Sequence, residues 1–272
     1  MLRETVADLA QQTKPPNRVI VCHTTPADVA GIEGCELVTS APGLPRQRNR
    51  ILDMAGDGDI LLFLDDDFLM APRYVEAIGA VMTTHPDIVV ATGDLIADGI
   101  KGPGLTPDAA RRLIEPDHGT ALDLRFKPAE HGYGCNMAIR VAAARRHNVR
   151  FDERLPLYAW SEDMDFTHRL GRFGRTVKLT GARGVHLGVK SGRSPGRNLG
   201  YSQVANPLYL RRKGSYSWRR ALGSVGRNLA ANALKSARPE PWIDRRGRLL
   251  GNGLAFLDLC RGRLAPERIL DL

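Results

Sequence analysis

Cysteine is scarce in this sequence, and the few cysteines that occur lie far apart. The 272 residues contain four cysteines, and no two form a Cys-x-x-Cys pair. This excludes the usual spacing of a structural zinc site and argues against a disulfide framework. Long hydrophobic runs are also missing: none approaches the roughly 20 residues that a membrane-spanning helix needs, and no signal-peptide pattern opens the chain. The sequence predicts a cytoplasmic protein with reduced cysteines.

The positive charge has a single location. The formal net charge is +9, yet residues 1–208 contain 25 basic and 25 acidic side chains, whereas residues 209–272 contain 14 and 5. Such a tail suggests an anionic partner, either a membrane surface or a nucleic acid. Few aromatic residues accompany the charges and no nucleic-acid module is recognised, so we expect no nucleic acid. Peripheral binding to the inner face of the cell membrane and a solvated helical face remain the two interpretations of the tail.

The chain is organised around the stretch from Asp59 to Asp67. Residues 60–64 are a short apolar run, which predicts a strand buried on both faces. Asp65, Asp66 and Asp67 follow the strand directly. In open α/β sheets, ligands bind at the carboxyl ends of strands. The three carboxylates therefore suggest a divalent cation that holds a phosphorylated ligand, with a solvated acidic turn as the alternative.

Strand and helix patterns alternate along the first part of the chain. Helices are predicted at 1–12, 46–55, 72–84, 108–114, 140–147 and 161–170, and strands at 18–22, 35–39, 59–64, 88–92, 176–179 and 184–187. This alternation predicts an α/β fold with a mainly parallel central sheet and helices on both faces. Residues 98–130 are a loop-rich insertion, and residues 190–200 are expected to form a mobile loop. We expect one α/β domain over 1–208 and a basic helical extension over 209–272.

Three motifs in this order resemble family 2 glycosyltransferases of the GT-A fold. They are Phe-Leu-Asp-Asp-Asp at 63–67, Gly-Cys-Asn-Met-Ala-Ile-Arg at 134–140 and Ser-Glu-Asp-Met-Asp-Phe at 161–166. The resemblance covers about residues 2–190, and the tail is similar to the C-terminal extension of bacterial polysaccharide glycosyltransferases. It implies an inverting enzyme that transfers a sugar from a nucleotide-diphosphate donor to a glycan or lipid-linked acceptor in cell-envelope polysaccharide synthesis.

The resemblance also implies roles for the acidic residues. Asp65 and Asp67 match the Asp-x-Asp motif, whose carboxylates hold Mg²⁺ or Mn²⁺ and contact the donor, with Asp66 between them. Asp163, preceded by Glu162, matches the general base that deprotonates the acceptor hydroxyl. Without the other motifs, both acids would be interpreted as simple charge complementarity at a helix N-terminus.

Further residues match the family's donor site. His186 falls where an additional metal ligand is found, although a lone histidine after a strand is more often structural. The other matching positions are Asn49 and Arg50 beside the nucleotide, Asn136 and Arg140 in the wall of the donor and acceptor site, and Arg193 and Arg197 in a loop that would close over the diphosphate. That loop has a solvated linker as its alternative interpretation.

Two departures from the family pattern affect the functional prediction. Family members begin with a strand that binds the nucleobase, whereas this chain opens on the first helix, and Cys22-His23-Thr24-Thr25 replaces the usual Asp-Asp-Gly-Ser. One expectation is that the true start lies upstream of Met1. The alternative function is a catalytically silent GT-A scaffold or binding protein. A nucleotidyltransferase is a third hypothesis, but its Gly-rich, basic N-terminal loop is absent from the sequence.

Overall fold

The structure is a computed structural model that describes residues 1–190 and 194–272. The chain divides into two compact units. The first unit comprises Met1–Ala41, Gln47–Arg150 and Phe166–Lys190, and the second comprises Pro42–Arg46, Phe151–Asp165 and Ser191–Leu272. The two units are described separately below.

The described elements follow the predicted alternation closely in the first half of the chain. The helices are α1 Leu2–Ala10, α2 Leu44–Met54, α3 Tyr74–Thr84, α4 Pro107–Ile114, α5 Val141–Arg146, α6 Glu162–Leu170, α7 Gly196–Lys213, α8 Trp218–Lys235 and α9 Arg245–Cys260. The strands are β1 Ile20–His23, β2 Glu36–Thr39, β3 Ile60–Leu64, β4 Phe68–Met70, β5 Ile88–Asp98, β6 Phe126–Pro128, β7 Asn136–Arg140 and β8 Arg175–His186. The segment 184–187 was predicted either to extend the strand at 176–179 or to form the next strand, and β8 shows that it is the extension.

The α/β class is confirmed, but the strand directions differ from the predicted mainly parallel sheet. The larger sheet has the order β3-β7-β5-β8-β4, with β6 added on β8, and helices cover both faces. Among the strand pairings of residues 1–190 and 194–272 in this sheet, β5–β8 alone is parallel, while β3–β7, β5–β7, β4–β8 and β6–β8 are antiparallel. Strands β1 and β2 form a separate parallel pair. Strands β6 and β7 follow the loop-rich insertion, and each pairs antiparallel with its neighbours, which does not require a βαβ crossover.

Strand β3 is an edge strand rather than a fully buried one. It pairs with β7 on one side, and within the described residues no strand pairs with its other side. Only Phe63 of its five residues is buried, and the other four are partly exposed. The apolar run correctly predicted a strand, but apolar composition alone does not distinguish an edge from a central position.

Helix α3 supplies much of the apolar core of the first unit. Its buried residues are Tyr74, Ala77, Ile78, Val81 and Met82, which recur at the three- and four-residue spacing of one helix face. They pack in one cluster with strand residues of β4, β5, β7 and β8. This packing holds the strands whose ends carry the candidate site.

The second unit contains α7, α8 and α9, joined by a buried polar network. The Asn232 amide donates to Gln203 Oε1 and to Asn252 Oδ1, both at 2.9 Å, and Asn252 donates to the carbonyl oxygen of Gly200 at 2.7 Å. The three side chains are at most 2% exposed. Because buried amides are costly unless paired, the network specifies how these three helices pack.

Residues 196–200 belong to α7, so the mobile loop predicted there is wrong at this end. A side chain at Gly200 would place its Cβ 2.1 Å from the carbonyl oxygen of Arg248, and one at Gly251 would come within 2.0 Å of the carbonyl oxygen of Arg197. The glycines thus serve close contact between α7 and α9 rather than flexibility. The domain boundary predicted at 208/209 falls inside α7.

Two general expectations can be compared with the described residues. All four cysteines lie within them and are free thiols. Among the helices of 1–190 and 194–272, none combines the length and the apolar character required to cross a bilayer.

Candidate active site

Three predicted side chains of the first unit meet at the ends of strands β3 and β8. Asp65, Asp67 and His186 each offer one ligand atom, and these atoms lie within 4.8 Å of one another. Asp67 and His186 are buried, while Asp65 is partly exposed. Two carboxylate oxygens and an imidazole nitrogen are ligand types that bind divalent metal ions. Such an ion lies about 2.1 Å from each ligand atom, so three ligand atoms this close together can surround one ion.

Asp98 orients the histidine of this group. His186 Nδ1 lies 2.8 Å from Asp98 Oδ1, and His186 Nε2 lies 3.4 Å from Asp67 Oδ1. Asp98 in turn accepts hydrogen bonds from the Ile100 amide at 3.0 Å and the Tyr133 hydroxyl at 3.1 Å. A carboxylate on one ring nitrogen leaves the other nitrogen directed at the metal position, which is the usual arrangement around a metal-bound histidine.

Strand register explains why these residues meet. Phe68 of β4 lies opposite His186 of β8, so Asp67 precedes the residue that faces the histidine. Asp98 is the partner of His186 in the parallel β5–β8 pairing. The Leu187 amide donates to the Asp67 carbonyl at 2.9 Å, which ties the turn after β3 to the end of β8.

The segment after β8 completes the hydrogen bonding of Asp67. Gly188 has φ of 67°, in the left-handed region that favours glycine, and a Cβ there would lie 2.3 Å from the carbonyl carbon of Gly99. This turn directs the Val189 amide to Asp67 Oδ2 at 2.8 Å. Asp67 therefore keeps Oδ1 on the side of His186 while its other oxygen is held by the backbone.

The charges of this group are strongly coupled. Burial favours the neutral imidazole, but hydrogen bonds and attraction from Asp67 and Asp98 outweigh it and raise the pKa of His186 to about 9. Burial likewise acts to raise the pKa of both carboxyls, yet contacts with His186 and nearby backbone amides hold the pKa of Asp67 and of Asp98 below the usual value. Without a metal ion, a protonated histidine therefore supplies the positive charge that the carboxylates need.

Arg48 is a site residue that the sequence patterns did not single out. Its side chain is buried, and its Nη2 donates to Asp65 Oδ1 at 3.2 Å and to the Gly134 carbonyl at 2.8 Å. The guanidinium also lies over the Phe63 ring, 5.9 Å from its centroid. The prediction placed Asn49 and Arg50 at the nucleotide; the structure buries Asn49 and leaves Arg50 exposed.

Asn136 lies beside the aspartate motif, whereas Arg140 does not. In the β3–β7 pairing, Asn136 faces Leu64, next to Asp65, while Arg140 faces Ile60 at the far end of the strand. Arg140 donates instead to the carbonyl oxygens of Met82, His85 and Ile88, so it ties the end of α3 to the sheet. Its predicted place in the donor site is therefore not supported by its position.

The Asn136 side chain is fully buried and only partly satisfied. Its Oδ1 accepts from Thr92 Oγ1 at 2.6 Å, while within the described residues Nδ2 has no hydrogen-bond partner. An unpaired buried donor costs free energy unless a ligand or water satisfies it. Asp66, by contrast, has an exposed side chain, and its carbonyl oxygen accepts from the Thr5 hydroxyl at 2.9 Å.

The predicted loop over the diphosphate is only partly described. Arg193 lies outside the described residues. Arg197 is exposed in the first turn of α7 in the second unit, and Lys190 of the first unit donates to the carbonyl oxygens of Gly99 and Ile100 at 3.0 and 2.9 Å.

The predicted base lies at the start of α6 in the second unit. Glu162 is the first helical residue and is buried, and Asp163 Oδ1 accepts from the Met164 amide at 2.8 Å. The preceding segment is strained, because Leu157, Ala159 and Ser161 have φ between 52° and 71°. Backbone strain of this kind is often concentrated at functional sites, which supports a functional interpretation of this helix start.

The fold is shared with solved glycosyltransferase structures. S. aureus TarS residues 1–349 match with a TM-score of 0.51 and 15% identity, over 96% of this chain and 88% of that one. The mannosyltransferase PcManGT from Pyrobaculum calidifontis, in complex with GDP-Man and Mn²⁺, matches with a TM-score of 0.52 and 14% identity, over 99% and 81%. GalNAc-T7 with UDP, GalNAc and Mn²⁺ gives 0.53 and 13%, over 98% of this chain and 52% of that one.

At such identities the structural likeness shows the fold alone, and it agrees with the predicted GT-A fold. The family comes from the sequence model of glycosyl transferase family 2, which matches residues 1–147, more than half of the chain. The chain therefore belongs to glycosyl transferase family 2. It spans 32% of a longer TarS structure, and no curated protein matches it significantly.

Proposed function

We propose that this protein is an inverting glycosyltransferase that transfers a sugar from a nucleotide-diphosphate donor. The observation that carries the proposal is the meeting of Asp65, Asp67 and His186 at strand ends in a family 2 chain. The related structures that contain GDP-Man or UDP, each with Mn²⁺, support a donor of this class. The proposed acceptor is a glycan or lipid-linked sugar of cell-envelope polysaccharide, with residues 209–272 in contact with an anionic membrane.

The proposed metal site comprises Asp65, Asp67 and His186. A bound divalent ion would offset the negative charge that develops on the departing nucleoside diphosphate. Because the donor set includes an imidazole, and Mg²⁺ prefers oxygen ligands and water, we propose Mn²⁺ over Mg²⁺. Asp98 would orient His186, and Arg48 would hold Asp65 in place.

Other side chains have proposed roles in binding and proton transfer. Asn136 would use its unpaired Nδ2 to donate to the donor sugar. Asp163, paired in sequence with Glu162, would accept the proton of the attacking acceptor hydroxyl. Arg50 and Asn49 remain proposed nucleotide contacts, with Asp66 at the donor, and Arg193 and Arg197 remain proposed diphosphate contacts. Arg140 is left out of the proposal.

A donor screen with UDP-, GDP- and dTDP-sugars, Mn²⁺ or Mg²⁺ and the wild-type chain tests this function. The informative variant is Asp163→Asn, which we expect to lower transfer by about 10²- to 10⁴-fold while metal-dependent binding of the nucleoside diphosphate persists. The matched control is Asp271→Asn, an exposed second-unit carboxyl paired with Arg268. Full transfer by Asp163→Asn would exclude Asp163 as the base.

The second candidate function is a catalytically silent scaffold that binds nucleotides weakly or not at all. The observation that favours it is the separation of β1 and β2 from the larger sheet, since the family binds the nucleobase in this region. The two functions predict different results in a thermal-shift series with nucleoside diphosphates. Stabilisation that requires Mn²⁺ supports the transferase, whereas no stabilisation with any nucleotide supports the scaffold.

A further inference from the structure

Helices α8 and α9 of the second unit expose four leucine side chains to solvent. Leu222, Leu234, Leu250 and Leu257 are between 44% and 81% exposed. On α9, Leu250, Gly253 and Leu257 follow one another at three- and four-residue spacing, which places them on one helix face. The buried residues of the same helix, including Gly251 and Ala255, lie on its opposite side.

Four arginines accompany these leucines. Arg219, Arg227, Arg238 and Arg246 are exposed, and within the described residues none forms an ion pair with a carboxylate. Arg246 donates from Nε to the Ser236 carbonyl oxygen at 3.1 Å, which leaves its charge unneutralised. We call the exposed sides of α8, α9 and the segment between them, which carry these leucines and arginines, the α8–α9 face.

Acidic residues are few in α8, α9 and the segment between them. Helix α8 contains no Asp or Glu, and the single acid of α9, Asp258, is buried and accepts from the Tyr201 hydroxyl at 2.9 Å. Glu240, between the helices, is paired with Lys235 and Arg245. Asp244, the N-cap of α9, is exposed and accepts from the Gly247 amide at 2.8 Å, so one exposed carboxylate lies near these groups. The face therefore combines apolar groups with an excess of positive charge.

A groove in the same face is lined by apolar side chains. It has a volume of about 550 Å³ and lies between residues 236–237 and α9, where Leu249, Leu250, Leu254 and Leu257 contribute to its wall. Arg246 and Ser236 line it as well. An apolar groove with a guanidinium beside it matches a molecule that has a hydrocarbon part and an anionic group.

We propose that the α8–α9 face docks on an anionic phospholipid bilayer, with the leucines among the acyl chains and the arginines at the headgroup phosphates. This inference rests on the proposed membrane contact of residues 209–272 and assigns it to particular side chains. Charge selects this occupant: a second copy would set arginines against arginines, and nucleic acid would leave the leucines in water. Exposed Trp218 and Trp242 fit an interface where apolar and polar surroundings meet.

Co-sedimentation of the full chain with vesicles tests the proposal. The probes are vesicles of phosphatidylcholine alone and of phosphatidylcholine with 30% phosphatidylglycerol (about one anionic lipid in three, in the range that attracts polybasic segments). We expect binding only to the anionic vesicles. Arg238→Gln with Arg246→Gln should weaken it by about 30-fold, since each basic residue near an anionic surface contributes about fivefold.

A second variant, Leu250→Asn with Leu257→Asn, tests the apolar component. We expect binding to fall at least about tenfold, because two leucines lose their transfer into hydrocarbon. The matched control is Arg112→Gln with Leu113→Asn on exposed positions of α4 in the first unit, which should bind like the wild type. Circular dichroism checks that each variant is folded.

Several outcomes would overturn the docking proposal. They are no binding by the wild-type chain, equal binding to neutral vesicles, wild-type binding by both folded variants, or wild-type dimerisation that Leu250→Asn with Leu257→Asn abolishes. Vesicle binding needs neither donor nor metal, so it is independent of the transfer assay. A wild-type chain that binds anionic vesicles but transfers no sugar in the donor screen would contradict the proposed enzyme and leave the docking proposal intact.

Discussion

Two groups of buried carboxylates in this protein differ in the cation that balances them. In the first unit, Asp67 lies against His186, whose Nε2 is 3.4 Å from the carboxylate. In the second unit, Asp165 accepts from Lys213 Nζ at 2.7 Å. A histidine can lose its proton and offer the freed ring nitrogen to a metal ion, so a metal ion can take over the positive charge beside Asp67. A lysine ammonium stays protonated beside its carboxylates and remains their balancing charge. We call Asp67, Asp98 and His186 the exchangeable group, because a metal ion can replace the proton on His186. We call Asp152, Asp165 and Lys213 the permanent group, because the lysine charge stays in place.

The second group is satisfied by several fixed donors. Asp165 is fully buried and also accepts from the Ser215 hydroxyl, while Asp152 accepts from Lys213 at 2.5 Å and from the Tyr209 hydroxyl at 2.8 Å. Burial acts to raise the pKa of Asp152, but Lys213 and Tyr209 outweigh it and lower the pKa. Both groups contain buried carboxylates, so buried carboxylates alone do not identify a candidate metal site. The cation that balances them distinguishes the two groups.

The largest expected effect follows removal of the carboxylate from the exchangeable group. Asp67→Asn deletes a proposed metal ligand and the partner of His186, so we expect transfer to fall by about 10³-fold or more, because metal stabilisation of the leaving group contributes several kcal/mol. Transfer rates and Mn²⁺ titration by calorimetry measure the two losses. Asp57→Asn, which changes an exposed ion pair with Arg145 in the same unit, serves as the control. Tight Mn²⁺ binding by Asp67→Asn would place the metal elsewhere.

The permanent group should respond in stability rather than in metal binding. Lys213→Met leaves Asp152 and Asp165 without their ammonium. Because Asp165 is fully buried while the Lys213 side chain is 23% exposed, we expect a cost of about 2 kcal/mol, less than for a fully buried ion pair. Urea denaturation should show this loss of unfolding free energy, with Mn²⁺ affinity unchanged. Adding Asp165→Asn to Lys213→Met should restore part of the stability. A Lys213→Met variant as stable as the wild type would contradict the comparison.

The exchangeable group should bind metal in a pH-dependent manner. Because the pKa of His186 is raised to about 9 in the metal-free protein, a bound ion must displace a proton at neutral pH. Mn²⁺ affinity should rise by up to about tenfold per pH unit and level off near pH 9, with about one proton released per ion. Calorimetry in buffers of different ionisation enthalpy measures the released proton. Affinity independent of pH between 6 and 9 would remove His186 from the ligand set.

The same histidine should affect the stability of the metal-free protein. Its folded-state pKa lies above the unfolded value near 6.5, so its contribution is complete below about pH 6.5 and is lost as pH rises through about 9. Asp98→Asn removes one of its two carboxylates, which should shift this loss to lower pH. Thermal denaturation of both proteins from pH 6 to 10 measures the shift.

Parts of this site could be predicted from the sequence and parts could not. Asp65 and Asp67 were predictable because charged residues directly after an apolar run mark a strand end. Asp98 was not, because its contact with His186 depends on the register between β5 and β8, and β5 extends six residues beyond the predicted end at 92. Arg140 matches the same motif as Asn136 but lies at the other end of β7, opposite Ile60, because motif membership does not reveal which end of an antiparallel strand is near Asp65.

Fold prediction shows the same limit. Periodicity predicted α3 well because its apolar spacing is a local property. The strand directions in the sheet, and the helical conformation of residues 196–200, depend on contacts between distant segments, such as that of Gly200 with Arg248. Local composition indicated flexibility there, and tertiary packing overrode it.

The smallest expected effect concerns the outermost hydrogen bond of the exchangeable group. Tyr133→Phe removes the hydroxyl that donates to Asp98 Oδ2 at 3.1 Å, while Asp98 Oδ1 keeps its contacts with His186 and the Ile100 amide. One hydrogen bond contributes about 1 kcal/mol, so Mn²⁺ affinity should fall about fivefold. The pH dependence of Mn²⁺ binding should keep its shape, because both carboxylates beside His186 remain.

Tyr158→Phe, on an exposed tyrosine of the second unit, is the control for this change. A loss above about 100-fold for Tyr133→Phe would exceed what one indirect hydrogen bond can contribute and would indicate that Tyr133 itself contacts the ion or the donor. No loss at all would show that backbone contacts alone hold Asp98. In that case the orientation of His186 depends on the β5–β8 register rather than on the side chains around it.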